Sequence, residues 1–295
     1  MTAELVNARL LARMRLPEPQ AGSKEGRGCV SVVGGCMEVP GAALLAAVAA
    51  LRAGAGKLQV TTARSVALHL GLALPEALVI AAPETPDGQM ARFPPDLLRR
   101  VVSSDAVLVG PGMMGDACRD IVSDILEEAA STPVVLDAGA ITALGPLEDR
   151  VRVRDGRVVM TPHAGEMAKL LGRDRQEIEE NPAAAAREAA RRFAAVVVMK
   201  GASTTIVEPS GTEWRYEGGC VGLGTSGSGD VLAGLIAGLL ARGSDPVVAA
   251  IWGVYLHGEA GTKLAARGPL GFLAREIATE VPALMDANQA VEYCQ

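Results

Sequence analysis

A glycine-rich segment near the C-terminus combines the groups that phosphate chemistry needs. It reads Gly227-Ser228-Gly229-Asp230 and runs directly into a long apolar helical pattern. The first three residues would present backbone N–H groups at the helix start, where the helix dipole favours an anion such as a phosphate. Asp230 would add a carboxylate suited to deprotonate a hydroxyl that attacks the bound phosphorus. We therefore expect an oxyanion or phosphate site at Gly227, Ser228 and Gly229, with Asp230 as the catalytic base.

Two other interpretations of this segment are open. Gly222, Gly224 and Gly227 satisfy the dinucleotide pattern G-x-G-x-x-G, but they lie near the C-terminus and open no βαβ unit. Alternatively, Asp230 is simply the N-cap of the helix, a frequent role of aspartate. The chain contains no G-x-x-x-x-G-K-[ST] phosphate loop.

Five short apolar runs are each followed by glycine and polar residues and then by a new element. These connections begin at Gly34, Gly110, Asp137, Thr161 and Lys200. Because ligands bind beyond the carboxyl ends of parallel strands, the five connections would line one common rim. Each of them taken alone is equally well an ordinary connection.

The last of these connections reads Lys200-Gly201-Ala202-Ser203-Thr204. One ammonium, small side chains and hydroxyls directly after a strand suit a phosphate and its ribose. The alternative is a plain turn or the start of a hairpin.

Apolar β-branched runs alternate with segments of helical period, which predicts βαβ units and an α/β fold with a largely parallel sheet. The predicted strands are Cys29–Val33, Leu58–Thr61, Ala77–Ile80, Ala106–Val109, Val134–Leu136, Val158–Met160 and Val196–Met199. The predicted helices are Ala3–Arg15, Ala42–Ala53, Pro95–Val102, Asp116–Ala130, Gly165–Leu171, Ala183–Ala194, Asp230–Ala241, Pro246–Ala265 and Phe272–Ala287, with a loop through Pro17, Pro19 and Gly22. Two hairpins are predicted, one over Arg152–Val159 and one joining Ser203–Val207 to Glu213–Tyr216.

Composition narrows the classes of partner. The chain has 295 residues and a formal net charge of −6 without any Lys/Arg-rich block, which argues against nucleic acid and anionic membranes as partners. Five cysteines without a C-x-x-C pair, and no secretory start, predict reduced thiols in the cytoplasm. His69, His163 and His257 show no metal-ligand spacing, so no metal ligand is predicted, and His69 and His257 are interpreted as surface or packing residues.

The predicted helix Ala42–Ala53 is apolar on nearly every side. Such a helix is buried either within its own fold or against another subunit. We therefore expect a homo-oligomer.

Several blocks of the sequence resemble a known family. Residues 227–243 resemble the G-T-G-D-V-L-A-G signature of the ribokinase-like superfamily. The block T-P-H-A-G-E-M-A-K-L-L-G at 161–172 is similar to the T-P-H-P-G-E block of the ADP/ATP-dependent NAD(P)H-hydrate dehydratases. Further matching blocks lie at 41–56, 109–112 and 200–204, in the family's order, so that the resemblance spans residues 24 to 265.

The resemblance implies a ribokinase-like three-layer αβα sandwich with a mostly parallel central sheet, as a single domain over residues 1–295 without the epimerase domain often fused to this family. It implies a lyase that repairs the (6S) hydrates of NADH and NADPH, called NADHX and NADPHX. ADP or ATP, with ADP favoured, would phosphorylate the hydrate hydroxyl with Mg²⁺ as cofactor, and phosphate would then leave. A separate epimerase is expected in the same pathway.

The resemblance also implies which residues bind each ligand. The adenine nucleotide would contact Lys200, Gly201, Ala202, Ser203, Thr204 and Gly229. The hydrate would contact Ala42, Gly112, His163 and Asp230.

The chain departs from the family at one block in particular. The usual D-A-D-A-L-N is here Asp137-Ala-Gly139-Ala-Ile-Thr142, which lacks the second Asp and the Asn. Two other functions are therefore considered, a kinase for a small alcohol such as a vitamin precursor or a sugar, and a catalytically weak nucleotide-binding protein. The T-P-H-x-G-E block argues against a sugar kinase, and the presence of Asp230 and Lys200 argues against a purely binding role.

Overall fold

Short, continuous apolar strands form the centre of the computed structural model, which describes residues 3–18, 24–115, 117–129 and 131–289. Strands such as Ala106–Val109 and Val196–Met199 are buried along their whole length, as expected where helices cover both faces of a parallel sheet. The strands are β1 Glu4–Leu5, β2 Cys29–Val33, β3 Lys57–Ala63, β4 Leu78–Ala82, β5 Ala106–Val109, β6 Val134–Leu136, β7 Val158–Met160, β8 Val196–Met199, β9 Thr204–Val207 and β10 Glu213–Tyr216.

In the described part of the chain, the ten strands form one sheet in the order β1-β10-β9-β8-β7-β6-β5-β2-β3-β4. Only β9 among them runs against the common direction, because it pairs antiparallel with both β8 and β10. The chain progresses outward in one direction from β2 and in the other from β5, and these two strands are neighbours. Their carboxyl ends therefore mark a topological switch point, where ligands bind in open α/β sheets.

Helices pack on both sides of the sheet, which confirms the predicted three-layer α/β architecture. The helices are α1 Ala8–Arg13, α2 Pro40–Arg52, α3 Arg64–Ala73, α4 Pro95–Val102, α5 Ala117–Glu128, α6 Gly139–Thr142, α7 Glu148–Arg152, α8 Ala164–Leu171, α9 Arg175–Glu180, α10 Pro182–Phe193, α11 Ser228–Ala241, α12 Pro246–Ala265 and α13 Ala274–Gln289.

Helices α2 and α11 pack against each other through two glycines. A Cβ at Gly234 would collide with the carbonyl oxygen of Ala46, and one at Gly238 would collide with that of Ala50. The two helices therefore run parallel at close contact, and the same register places Ala42 opposite Asp230, one turn earlier on each helix. This packing fixes the N-terminal turn of α11, where the predicted phosphate site begins.

The predicted helix Ala3–Arg15 is wrong in its first half. Glu4–Leu5 forms an edge strand beside β10, and α1 begins only after Asn7, whose side-chain oxygen accepts the Leu10 N–H at 3.0 Å. An N-cap of this kind starts a helix after itself, so the residues before it are free to pair with the sheet.

The hairpin predicted over Arg152–Val159 is also wrong. Glu148–Arg152 is helical, and Val158–Met160 pairs in parallel with β6 and β8. The chain does turn at Asp155 and Gly156, but the Gly156 N–H donates to the carbonyl of Ala194 rather than across a hairpin. A turn therefore forms within the predicted hairpin, but the strand after it pairs with β6 and β8 instead of with the segment before it.

The other elements agree with the predictions to within a few residues, and the hairpin of β9 and β10 is confirmed. Helices α3, α6, α7 and α9 were not predicted. The predicted helix ends Asp116 and Ala130, and the loop residues Pro19 and Gly22, lie outside the described residues.

The apolar helix α2 is buried inside its own chain, between the sheet and helices α11 and α13. Its composition therefore does not require a second subunit, and the argument for a homo-oligomer loses that support. None of the helices in the described ranges combines the length and apolar character needed to cross a membrane.

Candidate active site

The loops that follow strands β2, β5, β6, β7 and β8 interlock at one edge of the sheet. The Gly35 N–H donates to the Pro111 carbonyl at 2.7 Å, and the Lys200 N–H donates to the Pro162 carbonyl at 2.8 Å. A Cβ at Gly139 would collide with the Met113 carbonyl. The five connections predicted to share a rim do meet, and glycine is required at Gly139 because the neighbouring loop lies so close.

The N-terminal turn of α11 presents unpaired backbone donors. The helix starts at Ser228, with Gly227 at the N-cap position in a left-handed conformation (φ 89°). The Ser228 N–H donates to the Thr225 carbonyl at 3.2 Å. Within the described residues, the N–H groups of Gly227, Gly229 and Asp230 have no acceptor. Free donors at a helix N-terminus form an anion site.

Asp230 does not cap this helix, since the N-cap position belongs to Gly227 and no side chain makes a capping hydrogen bond there. Its carboxyl group is partly buried, and burial is the main cause that raises its pKa to about 7, with the nearby carboxylates of Asp137 and Glu166 acting in the same direction. The ammonium of Lys200 opposes this rise in pKa. A carboxylate with a pKa near neutrality is matched to proton transfer at physiological pH.

Lys200 lies at the centre of a charged cluster. Its Nζ donates to Asp137 Oδ1 at 2.9 Å and lies 3.8 Å from Glu166 Oε2. Burial favours the neutral amine, but the charges of Asp137 and Glu166 outweigh it, so the pKa of Lys200 is raised. A Cβ built on Gly229 would lie 3.2 Å from Nζ, so the ammonium is beside the free N–H groups of α11. An anion bound there would meet both.

Asp137 and Glu166 were not predicted as site residues, and Glu166 lies in the first turn of α8 near Lys200. Asp137 is almost fully buried at the end of β6, and its Oδ1 also accepts the Thr161 hydroxyl at 2.7 Å. Its position directly after a strand was noted in the sequence, but nothing local indicated that it would pair with a lysine 63 positions away.

His163 forms the N-cap of α8 in a capping box with Glu166. Its Nδ1 accepts the N–H groups of Gly165 at 2.9 Å and Glu166 at 3.3 Å, and Glu166 Oε2 accepts the His163 N–H at 2.8 Å. Since Nδ1 is an acceptor, the neutral ring carries its proton on Nε2. More than half of the side chain is exposed, and Nε2 lies 3.5 Å from Glu166 Oε1.

A cleft of about 810 Å³ opens beside this cluster. The predicted site residues that line it are His163, Lys200, Gly201, Ala202, Thr204, Ser228 and Gly229. Five other predicted site residues do not line it, namely Ser203, Gly227, Asp230, Ala42 and Gly112. Residues that sequence reasoning missed complete the wall, among them Tyr216, Cys220, Thr225 and His257.

Ala42 and Gly112 lie together at the switch point. A Cβ on Gly112 (φ 65°) would lie 2.5 Å from the Val39 carbonyl oxygen and 3.0 Å from the Ala42 Cβ. Because Ala42 faces Asp230 across the α2–α11 packing, Asp230 stands between this region and the cleft that begins at Gly229. In this arrangement Asp230 lies between the two groups of predicted site residues.

The described residues contain no group of three or more His, Cys, Asp or Glu side chains arranged to hold a metal ion. Mg²⁺ is often held by one or two carboxylates together with substrate phosphates and water. Asp137 and Glu166, the carboxylates nearest the start of α11, already pair with the Lys200 ammonium and do not line the cleft, so they do not offer an open pair of ligands to Mg²⁺.

A mostly parallel sheet between helical layers, with free helix N–H groups beside a carboxylate of raised pKa, places the chain in the ribokinase-like class of α/β proteins. A ribokinase-like superfamily protein from Enterococcus faecalis has the same fold, with a TM-score of 0.83 at 28% identity over 97% of each chain. The predicted fold class is confirmed.

Sequence comparison is more specific. The family model described as NAD(P)H-hydrate dehydratase matches residues 30–283. An ADP-dependent (S)-NAD(P)H-hydrate dehydratase from Xanthomonas campestris pv. campestris is 49% identical over 284 residues, which cover 95% of this chain and 96% of that protein. The structure of an ADP/ATP-dependent NAD(P)H-hydrate dehydratase from Bacillus subtilis, co-crystallised with ATP/Mg²⁺, has a TM-score of 0.81 at 28% identity over 98% and 99% of the two chains. The chain belongs to the NAD(P)H-hydrate dehydratase family.

Proposed function

We propose that this protein restores NADH and NADPH from their (6S) hydrates in a nucleotide-dependent dehydration. The hydrate hydroxyl attacks the terminal phosphorus of ADP, its proton passes to Asp230, and AMP leaves. The C–O bond then breaks and phosphate departs with that oxygen, while the ring loses a proton and regains its double bond. The sum is hydrate plus ADP giving dihydronicotinamide, AMP, phosphate and a proton.

The observation that carries this proposal is the position of Asp230. Its carboxyl has a pKa of about 7. In the first turn of α11, Asp230 is the residue directly after Gly229, whose N–H is free. A base and an anion site within one helical turn keep a fixed geometry relative to each other, and stabilisation of the transferring phosphoryl group supplies most of the catalysis in such reactions.

The nucleotide is assigned to the cleft formed by Lys200, Gly201, Ala202, Thr204 and Gly229. The assignment is supported by the ammonium of Lys200, which is held beside the α11 N-terminus by Asp137 and Glu166. Ser203 follows in the same connection, although it does not line the cleft. ADP is the proposed co-substrate, in keeping with the name of the Xanthomonas campestris relative.

The hydrate is assigned to the switch-point side, at Ala42 and Gly112, with His163 as a further contact. Support comes from the position of Ala42 opposite Asp230, which follows from the register of the α2–α11 packing. Mg²⁺ is proposed to enter with the nucleotide phosphates, whose charge it would neutralise.

The test is to incubate the protein with NADHX or NADPHX, Mg²⁺ and either ADP or ATP, and to follow recovery of the dihydronicotinamide absorbance. We expect recovery that requires the nucleotide and releases AMP from ADP. Nucleotide turnover with a small alcohol but not with either hydrate would indicate the kinase alternative. Nucleotide binding without any turnover would indicate a binding protein.

Three wider expectations accompany this proposal. Cys29, Cys36, Cys118 and Cys220 are free thiols, which supports a cytoplasmic location. Assembly into a homo-oligomer is to be measured by light scattering, and a monomer mass at micromolar concentration would exclude it. A separate epimerase is expected to interconvert the hydrate epimers for this enzyme.

A further inference from the structure

His257 on α12 lies behind the phosphate site and has no part in the mechanism above. Its Nε2 is 2.9 Å from the hydroxyl oxygen of Ser228 and 3.1 Å from the carbonyl oxygen of the same residue. The ring is half-buried and lines the cleft next to Ser228, whose own side chain is buried. One imidazole nitrogen therefore contacts both polar oxygens of the first residue of α11.

Both contacts can be hydrogen bonds with only one placement of the ring proton. A carbonyl oxygen can only accept, so the contact with it is a hydrogen bond only if Nε2 is the protonated nitrogen. A protonated Nε2 cannot accept from the Ser228 hydroxyl, so the hydroxyl oxygen is an acceptor as well. The hydroxyl hydrogen of Ser228 is then left over, and among the described residues no other side chain or carbonyl accepts it.

The ring is also kept neutral. Burial lowers the pKa of His257 to about 4, and the positive charge of Lys200 contributes in the same direction, while the hydrogen bond to the Ser228 backbone opposes them. A neutral ring with one N–H keeps the same donor role across the physiological pH range.

We propose that His257 is a positioning residue that turns the Ser228 hydroxyl into a hydrogen-bond donor toward the nucleotide phosphate. The hydroxyl would join the free N–H groups of Gly227 and Gly229 and the ammonium of Lys200 around one anion. This inference rests on the proposed function for the identity of the anion. It rests on the structure for which group donates and which accepts between His257 and Ser228.

The experiment measures ADP affinity by calorimetry and turnover of NADHX for four variants. Ser228→Ala removes the donor, His257→Phe keeps a ring without a donor, and His257→Gln keeps an N–H near the position of Nε2. His69→Phe, on an exposed histidine of α3, is the matched control. Loss of a hydrogen bond to a charged group weakens binding about 10- to 100-fold.

We expect that loss in Ser228→Ala and in His257→Phe, with His257→Gln within about threefold of the parent enzyme, well below the range for a lost charged hydrogen bond. The double variant of Ser228→Ala and His257→Phe should bind ADP no more weakly than the single variant with the lower affinity, because both substitutions act through one hydroxyl. Additive losses, or equal losses in His257→Gln and His257→Phe, would overturn the proposal.

A measurement on the unmodified protein covers the case in which His257→Phe does not fold. Nitrogen-15 NMR of the His257 ring should show the proton on Nε2, and a ring protonated on Nδ1 would overturn the proposal. The two hypotheses fail separately. If the protein does not turn over either hydrate but its variants show the predicted ADP affinities, the proposed function is disproved and the role of His257 is retained. If the protein turns over the hydrate but the variants bind ADP as the parent does, the role of His257 is disproved and the function is retained.

Discussion

The two sides of Asp230 are built from different kinds of residue. On the cleft side, Lys200 is held between Asp137 and Glu166 beside a helix N-terminus. On the switch-point side, Ala42 and Gly112 approach each other closely without any charged group in their contact. One side is organised by charge and the other by the absence of side chains.

The comparison bears on the proposed division of the site between two ligands. A phosphate chain needs donors and positive charge in fixed positions, which the cleft supplies. A neutral dihydronicotinamide ring needs no such charges, and the contact of Ala42 with Gly112 contains none. Substitutions on the cleft side should therefore change kcat and the affinity for the nucleotide. Substitutions on the switch-point side should change KM for the hydrate.

The largest effect is expected where the two sides meet. Asp230→Asn keeps the size of the side chain and removes the base, so kcat should fall about 10²- to 10⁴-fold. Affinity for ADP should be retained, because the free N–H groups and Lys200 remain. Steady-state kinetics and calorimetry on the same preparation measure both quantities.

The pH profile gives the same test in the parent enzyme. Because the base must be ionised and its pKa is about 7, kcat should rise as the pH increases through 7 and then level off. A value of kcat in Asp230→Asn within about threefold of the parent, far short of general-base loss, would show that Asp230 is not the base.

On the switch-point side, Gly112→Ala should raise KM for the hydrate about tenfold, because the new methyl group would collide with the Val39 carbonyl and the Ala42 side chain, and overpacking of this kind costs about 1–3 kcal/mol. The affinity for ADP should change little. Gly115→Ala is the matched control, because Gly115 (φ 76°) is also left-handed but has open space around its Cβ position. Equal effects of the two variants would mean that backbone strain, rather than lost space, is responsible.

The sequence predicted the strands and the glycine-rich turn because both depend on local chemistry. Continuous apolar runs and glycines before an apolar helix are visible in any short window, and Asp230 followed from them. The ion pair of Asp137 with Lys200 and the contact of His257 with Ser228 depend on the strand order and on the α11–α12 packing. A single sequence does not encode those distances in any local pattern, so these partners were missed.

The sequence also did not distinguish two roles of His163, capping a helix and contacting a ligand. The structure shows that Nδ1 caps α8, while Nε2 lies 3.5 Å from Glu166 Oε1 and the exposed ring lines the cleft. His163→Asn retains a good N-cap residue and removes Nε2, so stability should be kept. Loss of one neutral hydrogen bond should raise KM about 2- to 10-fold, and we expect this for NADHX more than for ADP. A larger effect on ADP would move His163 to the nucleotide side, in line with its position beside Lys200.

The smallest expected effect is on stability. The pKa of Asp230 is about 7 in the folded protein and near its ordinary value of 3.8 when unfolded, so the folded protein binds the extra proton between these values. The carboxyl therefore costs stability as the pH rises from about 4 to 7, and its ionised form is unfavourable above that range.

Asp230→Asn removes this cost, while Lys200 keeps Asp137 and Glu166 as partners. At pH 8 we expect a gain of about 1–2 kcal/mol, since each pKa unit is worth about 1.4 kcal/mol and solvent at a partly exposed group screens part of it. A chain of this size would melt a few degrees higher, at about 2–4 °C per kcal/mol. Near pH 4 the gain should vanish, because the carboxyl is then protonated in the folded protein.

Asp245→Asn is the matched control for this last prediction. Asp245 does cap its helix, accepting the N–H groups of Val247 at 2.8 Å and Val248 at 3.4 Å, and asparagine caps about as well as aspartate. Its substitution should leave the melting temperature nearly unchanged at both pH values. Thermal melts of the two variants thus separate a buried catalytic carboxyl from a capping one, and equal melting temperatures for Asp230→Asn and the parent at pH 8 would mean that Asp230 is not ionised at a cost in the folded protein.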